Sequence, residues 1–439
     1  MPKSLILAAV IAANAASAAR SEPTVTDFMI PPIALGTVSF VGGKTMSFDI
    51  GVGSGATHGA DQASDLFYTL SDRGPNIKCK DAQKTLGQST EALCAGEKSS
   101  KIFPMPTYAP RILEYRLNSD GLSLVRQLPL KGTSGGPITG LTNPLTVTNT
   151  ESSFDPMGQR LAFDASGLDT EALAVAGDGS FWIGEEYGAS IVHVGGDGTI
   201  LTRYVPKGEE EDLAAADYPV VGALPALVAK RKLNRGIEAV ALSRDGRSLY
   251  FSMQSPLSNP DDKAYAQGRY LRIYKFDIAA EKTVSEWLYP MDAAESFAAD
   301  NATKPRKPKD VKLSEMAMLE DGQLLVLERI SKTTRLYRIN PDVTGKVAAK
   351  FDLAATMPAL EGLDGQALNA AAVDLLKKVL VLDTDNLKGK PVKKLEGIAV
   401  MSDRQIVLVN DNDFGLGGAS FARVVTFAQP ISRTKAGGS

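Results

Sequence analysis

A short unit recurs along the chain and limits its fold more than any single motif does. DTEALAVAGDGSFWIGEEYG (169–188), GIEAVALSRDGRSLYFSMQS (236–255), LSEMAMLEDGQLLVLER (313–329) and LEGIAVMSDRQIVLVNDND (395–413) share one pattern. Each carries an early glutamate, alternates small and apolar residues, turns, and ends a second apolar run in polar side chains. The repeated glutamates are Glu171, Glu238, Glu315 and Glu396. A weaker copy, GSGATHGADQASDLFYTLSDRGPN (53–76), lacks the glutamate and keeps the second run with its polar end. Period-two alternation marks a strand, whose successive side chains leave on opposite faces. Asp-Gly at 178–179, 245–246 and 321–322 is a tight-turn signal. The unit is a β-hairpin, and its repetition predicts an all-β chain built as a β-propeller, where radial repetition disposes of exposed sheet edges.

The repeated glutamates are 67, 77 and 81 residues apart, more than the roughly 40 to 50 residues of an ordinary blade. Either the blades carry long insertions or unmarked blades lie between the marked ones. The expectation is about six blades with loop insertions at 74–110, 132–153 and 292–312, in a single domain over 19–439. Helical periodicity is confined to 212–233, which Pro219 and Pro225 interrupt, and to 367–378.

Composition removes several functions. With 48 basic against 51 acidic side chains and a formal charge of −3, no basic run offers a footprint for nucleic acid. Two histidines, His58 and His193, and two cysteines starve histidine-based zinc sites and His-dependent triads. A metal here would be held by oxygen. Lys3, the apolar run Leu5 to Ala13 and Ala16-Ser17-Ala18 read as a signal peptide over 1–18, cleaved near Ala18, which places the protein in the periplasm or outside the cell. No later run is long and apolar enough for a transmembrane anchor. In an oxidising compartment Cys79 and Cys94, fifteen positions apart, are expected to form a disulfide; the alternative is two buried free thiols.

Inner strands of a propeller line its axis, so a glutamate repeated at one strand position gathers carboxylates around that axis. Glu171, Glu238, Glu315 and Glu396 are therefore candidate ligands for a hard divalent cation, Ca2+ first, with Mg2+ or Mn2+ as alternatives. The polar strand ends supply the rest: Asp72, Glu185, Glu186 and Asp411 as candidate catalytic carboxylates, with Arg73, Asn76, Arg235, Gln254 and Arg329 to hold a phosphate. The competing reading makes each glutamate a pin that accepts backbone N–H bonds or pairs with an arginine of the next blade. G-x-S-x-G at 132–136 is not a nucleophile elbow, because its flanks are Thr/Pro-rich loop rather than strand and helix.

SDRGPN (71–76), EALAV (171–175), EAVAL (238–242), DGRSLYFSMQSPL (245–257), and EGIAV (396–400) followed by NDND (410–413) together resemble the bacterial phytase-like family, "esterase-like activity of phytase". The resemblance spans most of the chain. It implies an exported propeller whose repeated acids carry phosphoesterase activity on a small anionic phosphoester. The alternative function is a non-catalytic periplasmic propeller that binds a ligand or a protein partner.

Overall fold

The computed structural model describes residues 22–389 and 391–432. The signal peptide expected at 1–18, with cleavage near Ala18, lies outside the described residues. Five sheets of four or five strands dominate; of two smaller sheets, one precedes the first blade, Ala34–Ser39 with Thr45–Asp49, and the other is built on the 74–110 insertion. The first blade is Gly55–Thr57, Leu66–Leu70, Arg111–Asn118 and Gly121–Pro129. The second is Thr170–Val175, Phe181–Glu185, Ser190–Val194 and Ile200–Pro206, with Val220–Leu224 added in parallel. The third is Ile237–Leu242, Ser248–Met253, Tyr270–Asp277 and Lys282–Pro290, and the fourth is Lys312–Met318, Leu324–Arg329, Thr334–Ile339 and Lys378–Asp383. The fifth joins Leu395–Ser402, Gln405–Asn410 and Phe421–Thr426 to Thr24–Met29 from the other end of the chain. That last pairing, Thr24 opposite Thr426 and Met29 opposite Phe421, closes the circle.

The hairpin turns form for local reasons. At the second blade the Gly179 amide donates to Ala176 O and Ala176 N to Ser180 O, with Gly179 at φ +84°, where an L side chain is strained. Asp178 Oδ1 accepts from Ser180 N and fixes the loop before the strand resumes.

The alternation read from sequence assigns successive side chains of one inner strand to two different interfaces. Ala172 and Ala174 pack with Trp182, Phe251 and Tyr274 between the second and third blades, while Leu173 packs with Tyr68, Leu70 and Ile183 between the first and second. The inner strands adjoin one another around the axis in a closed ring. Small residues allow this approach: a Cβ on Gly397 would stand 2.8 Å from Ala56 N.

The five large sheets are one fewer than the spacing led us to expect. The extra residues lie in insertions rather than in an unmarked blade; one, from Pro341 to Leu376, packs Phe351, Leu360 and Leu368 against Leu288 of the third blade. The helical reading of 212–233 also fails. Its prolines leave the strand Val220–Leu224 and a short 3-10 turn, Ala226–Lys230. Of 367–378 only the end of the helix Gly365–Ala370 is helical. Among the described residues no helix is long and apolar enough to cross a membrane.

Cys79 and Cys94 are buried and joined by a disulfide that staples the 74–110 insertion. Its strands Ile77–Lys78 and Lys101–Ile102 pair with Ser153–Phe154 in a three-stranded sheet. A loop of fifteen residues predicts that replacing both cysteines by alanine costs about 3 kcal/mol, read as a lower urea midpoint.

Candidate functional site

Four of the five inner strands begin with a register shift that leaves one residue out of the ladder: Glu171, Glu238, Ser314 and Glu396. Such a bulge re-aims its side chain. A second set follows the end of each blade's second strand or closes it, in matching register: Asp72, Glu186, Gln254, Arg329 and Asp411. The two sets meet at one end of the axis, as their mutual electrostatic influence shows. Burial first, then the charges of Asp72, Asp169, Glu186 and Glu238, push the Glu171 carboxyl well above its ordinary value. Glu238 is likewise pushed up by burial and by Glu186, against the pull of Lys312 and Arg329.

The densest point is the group Asp72, Asp169 and Glu171, whose carboxylate oxygens all lie within 4.8 Å of one another. Asp169 and Glu171 are two apart along an extended chain, so both face the same way. Asp72 arrives from the first blade, raised by burial and then by Asp169. Asp169 is braced by Arg73 Nη1 at 3.1 Å. Among the described residues no hydrogen-bond donor is recorded on the Glu171 carboxylate. Three hard oxygen donors in this proximity suit a divalent cation of the calcium class.

Cations stand beside the acids. Arg235 Nη1 lies 3.6 Å from Glu186, and its guanidinium is the part-exposed one of the set. Arg329 pairs with Glu396 and donates Nε–H to Ser314 Oγ at 2.8 Å. Lys394 reaches Asp411 at 3.1 Å and Asp413 at 2.6 Å. Burial outweighs the neighbouring acids at Lys312 and, with Arg235 and Arg329 adding to it, brings the amine down to about 8. Lys78, in the stapled insertion, is also lowered, by burial and then by Lys101, Lys80 and Arg235.

Several candidate residues lie elsewhere. Glu315 belongs one step further along its strand than the other three glutamates, because Ser314 occupies the bulge. Its Oε1 accepts from Met316 N at 3.1 Å and Val240 N at 3.5 Å. The amides of Leu173 and Ala56 lie close enough to favour its charge, although Oε2 has no partner at full hydrogen-bond geometry. Burial still holds this carboxyl well above its usual value. Glu315 thus sits on the axis amid four inner strands, apart from the acid cluster. Glu185 is saturated by the amides of Asp169, Tyr187 and Gly188, by Ser190, and by Arg203 at 2.9 Å. Arg73 is 2 % exposed, bound to Gly140 O and Asp169 and sandwiched between Phe103 and Tyr187, so it braces the acids rather than facing solvent. Asn76 donates to Gly74 O within its loop. Gln254 is buried at the mouth with an unpartnered Oε1. Of the residues singled out beforehand, the structure brings together Glu171, Glu238, Glu396, Asp72, Glu186, Gln254, Arg235, Arg329 and Asp411.

Sequence reasoning missed Asp169 and Lys312. Asp169 heads the first repeated string at the i−2 position of Glu171, and strand alternation alone could have found it. Lys312 carries no such signal.

A curated relative, an "Uncharacterized secreted protein" of Arthroderma benhamiae, is 26% identical over 238 residues, 49% of this chain and 46% of its own length, so the chain spans about half of that relative. Among solved structures, a luciferin-regenerating enzyme aligns with TM-score 0.34 and 10% identity over 91% of this chain and 97% of that one. The Myceliophteria thermophila Cps50 (Swd1) beta-propeller domain aligns with TM-score 0.34 and 10% identity over 91% of this chain and 100% of that one. Both sets of mouth residues fall within a match over residues 50–414 to the Phytase-like family, Esterase-like activity of phytase, and the chain belongs to that family.

Proposed function

We propose that the protein is an exported, divalent-cation-dependent hydrolase of phosphate esters that works at the charged mouth of the propeller. The observation that carries this reading is the group Asp72, Asp169 and Glu171, in which burial and then the charge of Asp169 raise Asp72, and burial and then the charges of Asp72 and Asp169 raise Glu171. A bound Ca2+, Mg2+ or Mn2+ would supply Lewis-acid polarisation of the phosphoryl group. Arg235, part-exposed beside Glu186, and Lys312 orient the phosphate oxygens. Glu186 and Asp411, from the second and fifth blades on either side of the first, are the carboxylates available to take a proton from the attacking water. Export is supported by the closed disulfide and by the relative described as secreted.

The test is direct. Chelated protein resupplied with calcium, magnesium or manganese should hydrolyse a generic aryl phosphate, and chelation should stop it. The pairing of Arg329 with Glu396 and of Lys394 with Asp411 favours the second reading, a non-catalytic ligand-binding propeller, which no turnover with any of the three ions would select.

The raised carboxyls also give a pH prediction. A group whose folded pKa lies above its unfolded value, about 4 to 4.5 for a carboxyl, contributes stability that is lost as pH rises through the folded pKa. The metal-free protein should therefore melt at progressively lower temperature as pH is raised from about 5 to 8, because the folded state keeps protons on Asp72, Glu171 and Glu238 that the unfolded chain releases at lower pH. Calcium should restore the melting temperature, and most strongly at the upper end, as differential scanning fluorimetry would read.

A further inference from the structure

The opposite mouth of the propeller opens on a cavity of about 260 Å³ whose lining changes character with depth. Two residues past each bulge, Leu173, Val240, Met316 and Ile398 lie at a buried apolar floor contributed by four blades. The amides of Leu173, Val240 and Met316, with that of Ala56, surround the carboxyl of Glu315 behind this floor, so the cavity is separate from the acid cluster.

The rim is polar and carries both signs. Arg244 stands in the hairpin turn of the third blade and Asp61 in the loop after the first inner strand; both are exposed and line the cavity. Among the described residues neither has a hydrogen bond or an ion pair, with the other or with any neighbour. A Cβ on Gly177 would stand 3.5 Å from Asp61 Oδ2, so this carboxylate leans over the turn of the second blade, next to the third. The other rim acid is occupied: Asp245 accepts from Ser243 Oγ at 2.7 Å and from Arg247 N at 3.1 Å and holds its turn. His58 Nδ1 stands 2.7 Å from Leu66 O. A carbonyl only accepts, so Nδ1 carries a proton, and in the neutral imidazole Nε2 presents a lone pair beside Asp61.

An unpaired cation and an unpaired anion on one rim, above an apolar floor, complement a zwitterion with an apolar tail. We propose that this cavity is a second binding site, for a free α-amino acid with an aliphatic or thioether side chain. The α-carboxylate pairs with Arg244, the α-ammonium donates to Asp61 and to His58 Nε2, and the side chain rests on the floor. A cavity of about 150 Å³ holds benzene, so this one has room for a side chain the size of leucine or methionine together with both charged groups. The site is independent of the phosphoesterase reading, since it shares no residue with the acid cluster.

Calorimetric titration of the full chain at pH 8 with leucine, leucinamide, N-acetyl-leucine and glycine tests it. Leucine should bind saturably, and glycine, which brings no side chain to the floor, should not. Leucinamide lacks the carboxylate and N-acetyl-leucine the ammonium, so each should bind about threefold to tenfold more weakly, the loss of one part-exposed charged contact. Arg244→Gln should weaken leucine by a similar factor and leave leucinamide unchanged; Asp61→Asn should weaken leucine and leave N-acetyl-leucine unchanged. Both side chains are exposed, and circular dichroism and melting establish that each variant is folded. Absence of saturable leucine binding in the wild type, or undiminished leucine binding in both folded variants, overturns the site. Leucinamide binding as tightly as leucine overturns the free amino acid in favour of a peptide amino terminus, and N-acetyl-leucine binding as tightly overturns the role of Asp61.

Discussion

Glu171→Gln should lower metal-restored turnover of an aryl phosphate by about a hundredfold or more, with the remaining activity demanding more metal. The substitution keeps the shape of the side chain and removes one charge from a group whose oxygens lie within 4.8 Å of one another. Loss of even an outer partner of a metal ligand commonly costs 10- to 100-fold in affinity or activity, so loss of a direct ligand sets the lower bound. A merely damaged fold would produce the same loss, and stability separates the two. Glu171 is held above its ordinary pKa chiefly by burial, then by Asp72 and Asp169, so above the ordinary carboxyl range the metal-free wild type bears a cost that grows with pH. Glutamine removes that cost. The variant should be more stable than the metal-free wild type at pH 8, and differ from it least near pH 5. An inactive variant that gains stability with rising pH supports a ligand role; an active one, or one destabilised at both pH values, refutes it.

What could be read from the chain and what could not divides along one physical feature. The hairpins, the propeller class and the Cys79–Cys94 pairing were legible because alternation, Asp-Gly turns and cysteine spacing are local signals. The assignment of acids to the mouth slipped by one residue at Glu315 and took in a structural neighbour at Glu185. A bulge adds a residue without breaking an apolar pattern, so Glu315 looked equivalent to Glu171 although Ser314 holds that place. Likewise the terminal dipeptides Glu185-Glu186 and Glu328-Arg329 each split into a structural and a mouth residue. Glu328 accepts from Tyr289, the Asp292 amide and Lys378, as Glu185 does from its own loop, while Glu186 and Arg329 turn to the mouth. Nothing in a one-dimensional pattern says which of two adjacent residues leaves the sheet. The blade number was hidden for a different reason: insertions and extra blades lengthen the spacing equally.

Glu315→Ala should cost about 3 to 5 kcal/mol of folding stability, among the largest effects of any single change in the chain, with the melting transition shifted by several degrees. Each inner strand has an outer neighbour only, so its axial edge presents amides that no sheet partner can satisfy. Glu315 supplies the acceptor: its carboxyl lies among the amides of Met316, Val240, Leu173 and Ala56, one from each of four blades. Alanine would leave these donors unmatched, at about 1 to 3 kcal/mol for a buried donor without an acceptor, and open a void where the side chain stood. Glutamine keeps the volume and one acceptor oxygen but turns an NH2 toward backbone amides, so about 1 to 2 kcal/mol is expected. Because Glu315 takes no part in the acid cluster, neither variant should change the metal requirement of the folded fraction. A cost under about 1 kcal/mol for alanine would mean that water reaches the axis and replaces the carboxyl; the two mouths would then be joined by solvent, and Glu315 would not be the pin that separates them.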